Sequence, residues 1–453
     1  MRKVSLLTAV LFFYLTAFSQ DIIGSWNGVL EANGIQLRIV FHFEEKDGVY
    51  TTTMDSPDQG AKDIKTTNTI LKKKILTVNI AKLFAAFEGK VKKNSIEGIF
   101  KQMGASYPLV LKRGTIGIKR PQDPKPPYPY HVEDVHFENK PADIRLAGTF
   151  TCPKEGSNFP VVVLITGSGG QNRNEELFNH RPFLVLANYL TRQGIAVLRY
   201  DDRGIGESKG VYATASIQDF ATDALAAVSY LKTRSEINPN KIGLIGHSEG
   251  GSISFIASAD NKDVAFIVSM AGVSIKGDSL MKLQRYAISK AANVSEKDIA
   301  KNEDLVMQMS AIIEKHSADS VFNHTDMFIE EIIPADMKEN IAARNSYKNH
   351  LSGMASPEIY SILSYNPMED LQKIECPVFA INGEKDLQVP AEINLQHFEK
   401  WLQGKVTTKK YPGLNHLFQH CQTGMVDEYP KIEETISEEV LSDIAKWIKS
   451  VTK

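Results

Sequence analysis

The chain has 453 residues, 42% hydrophobic and 23% charged, with a formal net charge of -2. That composition excludes a disordered chain, and the near-neutral balance gives no footing for nucleic acid or an anionic membrane as a partner. The length suits two domains, each able to bury its own core.

The first residues read as a secretory signal peptide spanning 1–19. Arg2 and Lys3 precede an apolar run from Val4 to Phe18, and Ala17 and Ser19 offer small side chains at a cleavage position. The run is short for a membrane span. The expectation is an exported protein, periplasmic or secreted, without stable membrane insertion. Cys152, Cys376 and Cys421 are too widely spaced for a zinc site and allow at most one internal disulfide. They are expected to be small buried residues without a chemical role.

Residues 20–115 read as an all-β barrel or sandwich. Short runs such as Gln36 to Phe43 and Val49 to Met54 are rich in β-branched and aromatic side chains. Asn33-Gly34 and Asp47-Gly48 between them are hairpin signals. The segment Asp55 to Gly60 is expected to be a loop. Pro121, Pro124, Pro126, Pro127 and Pro129 then mark a semi-rigid linker over 116–130.

From residue 131 the pattern changes. Val132 to Phe137 and Ile144 to Phe150 alternate like an edge hairpin. Continuous apolar runs suited to buried parallel strands follow: Val161 to Ile165, Ile195 to Leu198, Ile242 to Ile245, Ala265 to Val268 and Val378 to Ile381. Helical segments such as Asp219 to Leu231 separate them. Strand alternating with helix predicts a doubly wound, mostly parallel α/β sheet.

Ligands in such sheets sit at the carboxyl ends of strands. Gly246-His247-Ser248-Glu249-Gly250 fits G-x-S-x-G, a serine on a tight strand-to-helix turn whose glycines allow close packing. By itself the pentapeptide is common. Two further strand ends carry complementary chemistry. Asp386 follows Val378 to Ile381, and His416 follows a late strand near Val406 to Tyr411. The order Ser, Asp, His is that of α/β-hydrolases.

On these stretches, with Ile165 to Gly170 and Tyr200 to Ser208, the chain from about residue 131 resembles an α/β-hydrolase-fold serine esterase. As a whole it is similar to exported bacterial esterases that carry an N-terminal β-domain. The resemblance implies Ser248 as nucleophile, His416 as base and Asp386 as its orienting acid. It also implies an oxyanion hole from the N–H groups of Glu249 and of Ser168 or Gly167, Ser168 being the choice made here.

Asp370 is the runner-up acid and His420 the runner-up base, both expected at the surface. Asp202 and Arg203 are expected to form a buried structural pair. Residues 273–368 interrupt the sheet and are too long for a simple connection. They read as a helical lid, with helices near Leu280 to Ala291 and Glu296 to Lys315. The methionines in and beside it (Met281, Met307, Met309, Met327, Met337, Met354 and Met368) suit an adaptable apolar surface or plain helix packing.

The sequence therefore predicts an α/β-hydrolase-type domain over 131–453, preceded by the β-domain. Its expected function is serine hydrolysis of a small-molecule carboxylic ester through an acyl-enzyme, with no cofactor and no metal. A peptidase or aminopeptidase of the same fold is the alternative, disfavoured because no acidic pair stands out as an amine anchor. A non-catalytic binding protein is the remaining one.

Overall fold

The computed structural model describes residues 22–32, 35–59, 61–114 and 120–453. The proposed signal peptide and the Asn33-Gly34 turn lie outside them. The chain divides into two compact units at residues 117 and 118.

The first unit is a single antiparallel sheet of nine strands: β1 (Gly24–Ala32), β2 (Ile35–Lys46), β3 (Val49–Ser56), β4 (Ala61–Lys65), β5 (Asn68–Lys72), β6 (Ile75–Ile80), β7 (Ala85–Val91), β8 (Ser95–Gln102) and β9 (Ala105–Arg113). Their spatial order is β4-β3-β2-β1-β9-β8-β7-β6-β5. The sheet curls until its two ends meet. Thr66 N donates to Thr52 O at 3.2 Å, and Thr69 Oγ1 donates to Thr52 Oγ1 at 2.7 Å. Curling protects strand edges and encloses one apolar face. Trp26, Phe41, Phe43 and Phe87 fill the interior. The period-2 pattern is clear in β7, where Ala85, Phe87, Gly89 and Val91 turn inward and alternate with more exposed residues. Asp47 and Gly48 both have positive φ, as the hairpin turn requires. The segment expected as a loop from Asp55 to Gly60 instead ends β3 at Ser56 and continues as a 3-10 turn over Pro57–Gln59, Gly60 lying outside the described residues. Its carboxylates serve the unit itself. Asp58 accepts from the Arg38 backbone and guanidinium, and Asp55 bonds His42.

The second unit contains eight strands: β10 (His131–Asn139), β11 (Ile144–Cys152), β12 (Phe159–Ile165), β13 (Ala196–Tyr200), β14 (Ile237–His247), β15 (Phe266–Met270), β16 (Val378–Gly383) and β17 (Val406–Tyr411). Their order is β10-β11-β13-β12-β14-β15-β16-β17. An antiparallel hairpin opens the sheet and all pairs from β13 onward are parallel. This is the doubly wound sheet of the α/β-hydrolase fold. The helices begin with α1 (Pro182–Arg192), α2 (Ile217–Leu231) and α3 (Glu249–Ser258). Ser216 starts α2 through a capping box with Asp219.

Of the seven α-helices between β15 and β16, the first six are α4 (Gly277–Ala291), α5 (Glu296–His316), α6 (Ala318–Asn323), α7 (Thr325–Phe328), α8 (Ile341–Ala355) and α9 (Pro357–Ser364). After them come α10 (Met368–Lys373), α11 (Ala391–Leu402) and α12 (Glu438–Val451). The sheet strands bury both faces, so alternate residues serve different cores. Val161, Val163 and Ile165 of β12 pack with residues of α2, α3 and α11. Val162 and Leu164 pack with those of α1 and α12. Burying a large aliphatic side chain stabilises by about 1.5–3 kcal/mol. Val440, Leu441, Ile444 and Ile448 of α12 are all buried on the α1 side. That face therefore makes the last helix an integral part of the sheet packing.

The inserted helices have a core of their own, built on Met309, Ile312, Ile313, Val321, Phe328 and Leu351. Met309 is thus ordinary packing, whereas Met307 and Met327 are exposed. The proline-rich stretch expected as a linker is anchored from Arg120 onward. The Arg120 guanidinium donates to the carbonyls of Phe178, Asn179 and Ile432. Asp123 accepts from Arg181 at 2.6 Å. Composition showed its stiffness and could not show these partners. Cys152, Cys376 and Cys421 are all free thiols, and burial pushes Cys152 up to about 11. Among the described residues no helix is long and apolar enough to cross a membrane.

Candidate active site

Ser248 sits between β14 and α3 with φ 54° and ψ -117°. A non-glycine residue there is strained, and such strain persists only where packing on both sides enforces it. The flanking glycines explain how. A Cβ on Gly246 would lie 2.0 Å from Gly250 O, and one on Gly250 would lie 2.2 Å from Ile165 O. The turn is therefore clamped between α3 and the end of β12. Ser248 N donates to Met270 O at 2.9 Å, which ties the turn to the end of β15.

Asp386 lies just past β16 and His416 just past β17, and the structure joins them. His416 Nδ1 is 2.8 Å from Asp386 Oδ2. The other carboxylate oxygen, Oδ1, accepts from Gln388 N at 2.8 Å and Val389 N at 2.9 Å. The carboxylate is thus held by its own loop and can orient the imidazole. Both residues are buried. Among the described residues no hydrogen bond joins the Ser248 hydroxyl to His416. The two are linked instead through His247.

That link was missed by the sequence reading. His247 is buried, with Nδ1 2.9 Å from Glu175 Oε1 and Nε2 3.0 Å from the backbone O of His416. Both partners are acceptors, so both ring nitrogens donate and the ring is an imidazolium. Burial opposes that charge, but the Glu175 carboxylate outweighs it and raises the His247 pKa. The His247 and His416 rings lie 4.7 Å apart between centroids. Glu175 stands ten residues beyond β12 in Asn172-Arg173-Asn174-Glu175-Glu176, where nothing separates it from a surface acid.

Glu175 also reaches the loop after β12. Its Oε1 accepts from Gly167 N at 2.9 Å, so that N–H is occupied. Gly169 N donates to Glu358 Oε1 at 2.8 Å. Among the described residues the N–H groups of Ser168 and Glu249 have no such partner, and both residues line a cavity with Ser248. The cavity measures about 170 Å³. Its other walls are Val273, Ile275, Leu280 and Met281 from the start of the insertion, with Ile359 and Ile362 from α9. It is smaller than the ~300–1,000 Å³ of most ligand pockets, which suits a short chain.

The runner-up residues are accounted for elsewhere. Asp370 accepts from Tyr365 Oη at 2.9 Å. His420 is exposed and bonds Glu434 at 2.8 Å. The expected Asp202–Arg203 pair does not form, because each side chain has other partners at the turn after β13. Arg203 pairs with Asp223 at 2.7 Å. Asp202 accepts from Thr166 Oγ1 and Gln171 N, both at 2.8 Å. Burial pushes its carboxyl up to about 7. No cluster of three or more His, Cys, Asp or Glu suited to a metal occurs among the described residues.

Sheet order, elbow and oriented histidine together define the class of protein as one of the α/β-hydrolase fold. Comparison with known proteins agrees with that fold. The family described as serine aminopeptidase, S33, matches residues 181–332, a span containing Ser248 but neither Asp386 nor His416. Esterase EstD of Thermotoga maritima is 25% identical over 328 residues, covering 71% of this chain and 69% of that protein. The quorum-quenching protein AidA of Acinetobacter baumannii is 21% identical over 275 residues, or 58% of this chain and 82% of that one. Among solved structures, the α/β hydrolase GrgF from a Penicillium species shares 19% identity over 71% of this chain and 99% of its own, with a TM-score of 0.46. An esterase of Pyrococcus furiosus shares 16% over 72% and 94%, with a TM-score of 0.43.

Proposed function

We propose that the protein is a serine hydrolase that cleaves short carboxylic esters through an acyl-enzyme. The observation that carries this reading is the Asp386–His416 pair, 2.8 Å apart, at the ends of successive strands beside a strained serine that opens onto a cavity. A relative named as an esterase supports it. Asp386 fixes the proton of His416 on Nδ1, leaving Nε2 to accept. In the reaction the Ser248 hydroxyl attacks the ester carbon while His416 takes its proton. The bond to the leaving alcohol breaks and His416 returns the proton to it. Water, activated in the same way, then releases the acid. In this reading the N–H groups of Ser168 and Glu249 hold the oxyanion, and fixed donors of this kind each contribute about 3–4 kcal/mol in a known serine hydrolase. Serine–histidine contacts are often loose without substrate and tighten in the complex. The apolar run from Val4 to Phe18 supports an exported location for this activity.

The test is labelling with a fluorophosphonate together with turnover of p-nitrophenyl butyrate. Label should map to Ser248 and disappear, with turnover, in Ser248→Ala. Turnover that survives in a folded Ser248→Ala protein refutes the assignment. Parallel assays on aminoacyl anilides distinguish the amide-cleaving alternative.

A further inference from the structure

The stretch after β12, Gly167-Ser168-Gly169-Gly170, has three glycines in four residues. Glycine loses more conformational freedom on ordering than any other residue, so such a segment does not hold one shape by itself. Packing does little for Gly169 either. It has φ +86°, and a Cβ built there meets nothing within 4 Å. Yet the reaction above asks Ser168 N, between two of these glycines, to be a fixed donor, and an oxyanion donor acts only if it is pre-aimed.

Hydrogen bonds supply the order that packing does not. Alternate N–H groups of the stretch go to three different carboxylates. Gly167 N donates to Glu175 at 2.9 Å, Gly169 N to Glu358 at 2.8 Å and Gln171 N to Asp202 at 2.8 Å. Gly167 N and Gly169 N belong to the peptide planes on either side of the one that carries Ser168 N. With both flanking planes held, the middle plane has little room to turn, and the Ser168 N–H keeps its direction. Glu175 and Asp202 stand in the loops after β12 and β13. Glu358 comes from much further off: it is the second residue of α9, in the insertion, 189 residues from Gly169.

The start of α9 sets Glu358 firmly. Ser356 caps the helix by accepting from Ile359 N, and Pro357 fills the first helical position. From sequence, an acid in this first turn reads as a partner of the helix dipole. In the structure its Oε1 reaches out to Gly169 N and also accepts from Tyr212 Oη. Ile359 and Ile362 of the same helix wall the Ser248 cavity. One helix therefore shapes the pocket and holds the loop that carries an oxyanion donor.

We propose that Glu358 is a positioning residue for the reaction: through this carboxylate the insertion sets the direction of the Ser168 N–H, and so stabilises the transition state without touching substrate. The inference rests on the hydrolase reading with Ser248 as nucleophile. It gives the insertion a part in turnover, where its sequence pattern pointed only to a lid.

The experiment measures turnover of p-nitrophenyl butyrate and inhibition by 1,1,1-trifluoropentan-2-one in the full chain and in variants. The trifluoroketone adds to the serine hydroxyl and forms a tetrahedral adduct with its oxygen at the oxyanion position, so its affinity reports on the donors there. In Glu358→Ala, Gly169 N loses its acceptor. Its kcat should fall at least about tenfold, or about 1.4 kcal/mol in the barrier, with KM within about threefold. Inhibitor affinity should fall with kcat. Glu358→Gln should recover kcat, KM and inhibitor affinity to within about threefold of the parent, because one amide oxygen can accept both bonds. Ser361→Ala is the control for helix docking. Ser361 Oγ accepts from Ile217 N at 3.1 Å, an anchor of α9 that does not involve the glycine loop. Its kcat should stay within about threefold of the parent. The proposal is overturned if Glu358→Ala loses less kcat than stated, if the loss lies in KM, if Glu358→Gln is as impaired as Glu358→Ala, or if Ser361→Ala matches Glu358→Ala. Should Glu358→Ala lack a cooperative melting transition, Glu358→Asp takes its place under the same thresholds, since it keeps the charge but shortens the reach by one methylene. Fluorophosphonate labelling of the unaltered protein separates the two readings. No label at Ser248 and no turnover refute the hydrolase reading and this inference with it; label at Ser248 with an unmoved kcat in Glu358→Ala refutes this inference alone.

Discussion

Replacing Asp386 by Asn tests the orientation of the imidazole with almost no change in volume. Asp386 Oδ1 accepts two backbone N–H bonds, from Gln388 and Val389, while Oδ2 faces His416 Nδ1. An asparagine keeps its single oxygen where the two N–H groups point, because turning the amide round would set its NH₂ against both donors. The NH₂ then faces His416 Nδ1, which must become an acceptor. The imidazole proton moves to Nε2, the atom that has to take the serine proton. A comparable substitution in a serine protease lowers kcat about 10⁴-fold, equivalent to about 5.5 kcal/mol in the barrier. We expect a fall of the same order for p-nitrophenyl butyrate in Asp386→Asn, with a melting temperature within a few degrees of the parent because both loop hydrogen bonds remain. A folded Asp386→Asn protein that retains more than a tenth of parental turnover would falsify the role given to Asp386. Asp370→Asn serves as the control and should leave turnover nearly unchanged.

Three further outcomes follow from geometry and burial. Gly246→Ala places a methyl group 2.0 Å from the backbone of Gly250, so α3 must move off the sheet; urea unfolding should show a loss of at least about 3 kcal/mol, beyond the range of simple overpacking. Gly194→Ala, at φ +87° with nothing within 4 Å, should cost only about 1 kcal/mol. His180 is buried against Tyr429 O, and burial lowers its pKa to about 4. Its folded value lies below its unfolded one, so the unfolded chain takes the proton first. Stability from this group is present above pH 6.5 and lost as pH falls toward 4, by about 3 kcal/mol in all. In His180→Gln the urea midpoint should vary less across that interval, and an unchanged slope would show that His180 titrates normally.

The parallel sheet was legible because strands buried on both faces are continuous apolar runs. Val161 to Ile165 and Val378 to Ile381 are of this kind, and both stand as strands. Asp386 could be placed because it follows such a run by a few residues, whereas His416 follows β17, whose Thr407 to Lys410 are polar. What sequence could not show are contacts made by ordinary residue types from distant segments. Glu175 reaches His247 across 72 residues and Glu358 reaches Gly169 across 189. The closure of the β sheet was equally hidden, because the pattern that marks inward residues says nothing about which edges meet. Arg120 looked like part of a stiff spacer because its partners are backbone carbonyls, which carry no signature.

The Arg120 anchor has a consequence in time. Its acceptor at Ile432 lies 312 residues later in the chain, and His416 follows His247 by 169 residues. At roughly 5–20 residues per second on the ribosome, the elbow is made about 10–40 seconds before the anchor can close. Until residue 416 is made, the proposed nucleophile has no proposed base. Residues 416–432 therefore close the unit and, on the mechanism proposed above, also supply its base, so a chain truncated before residue 416 should lack turnover.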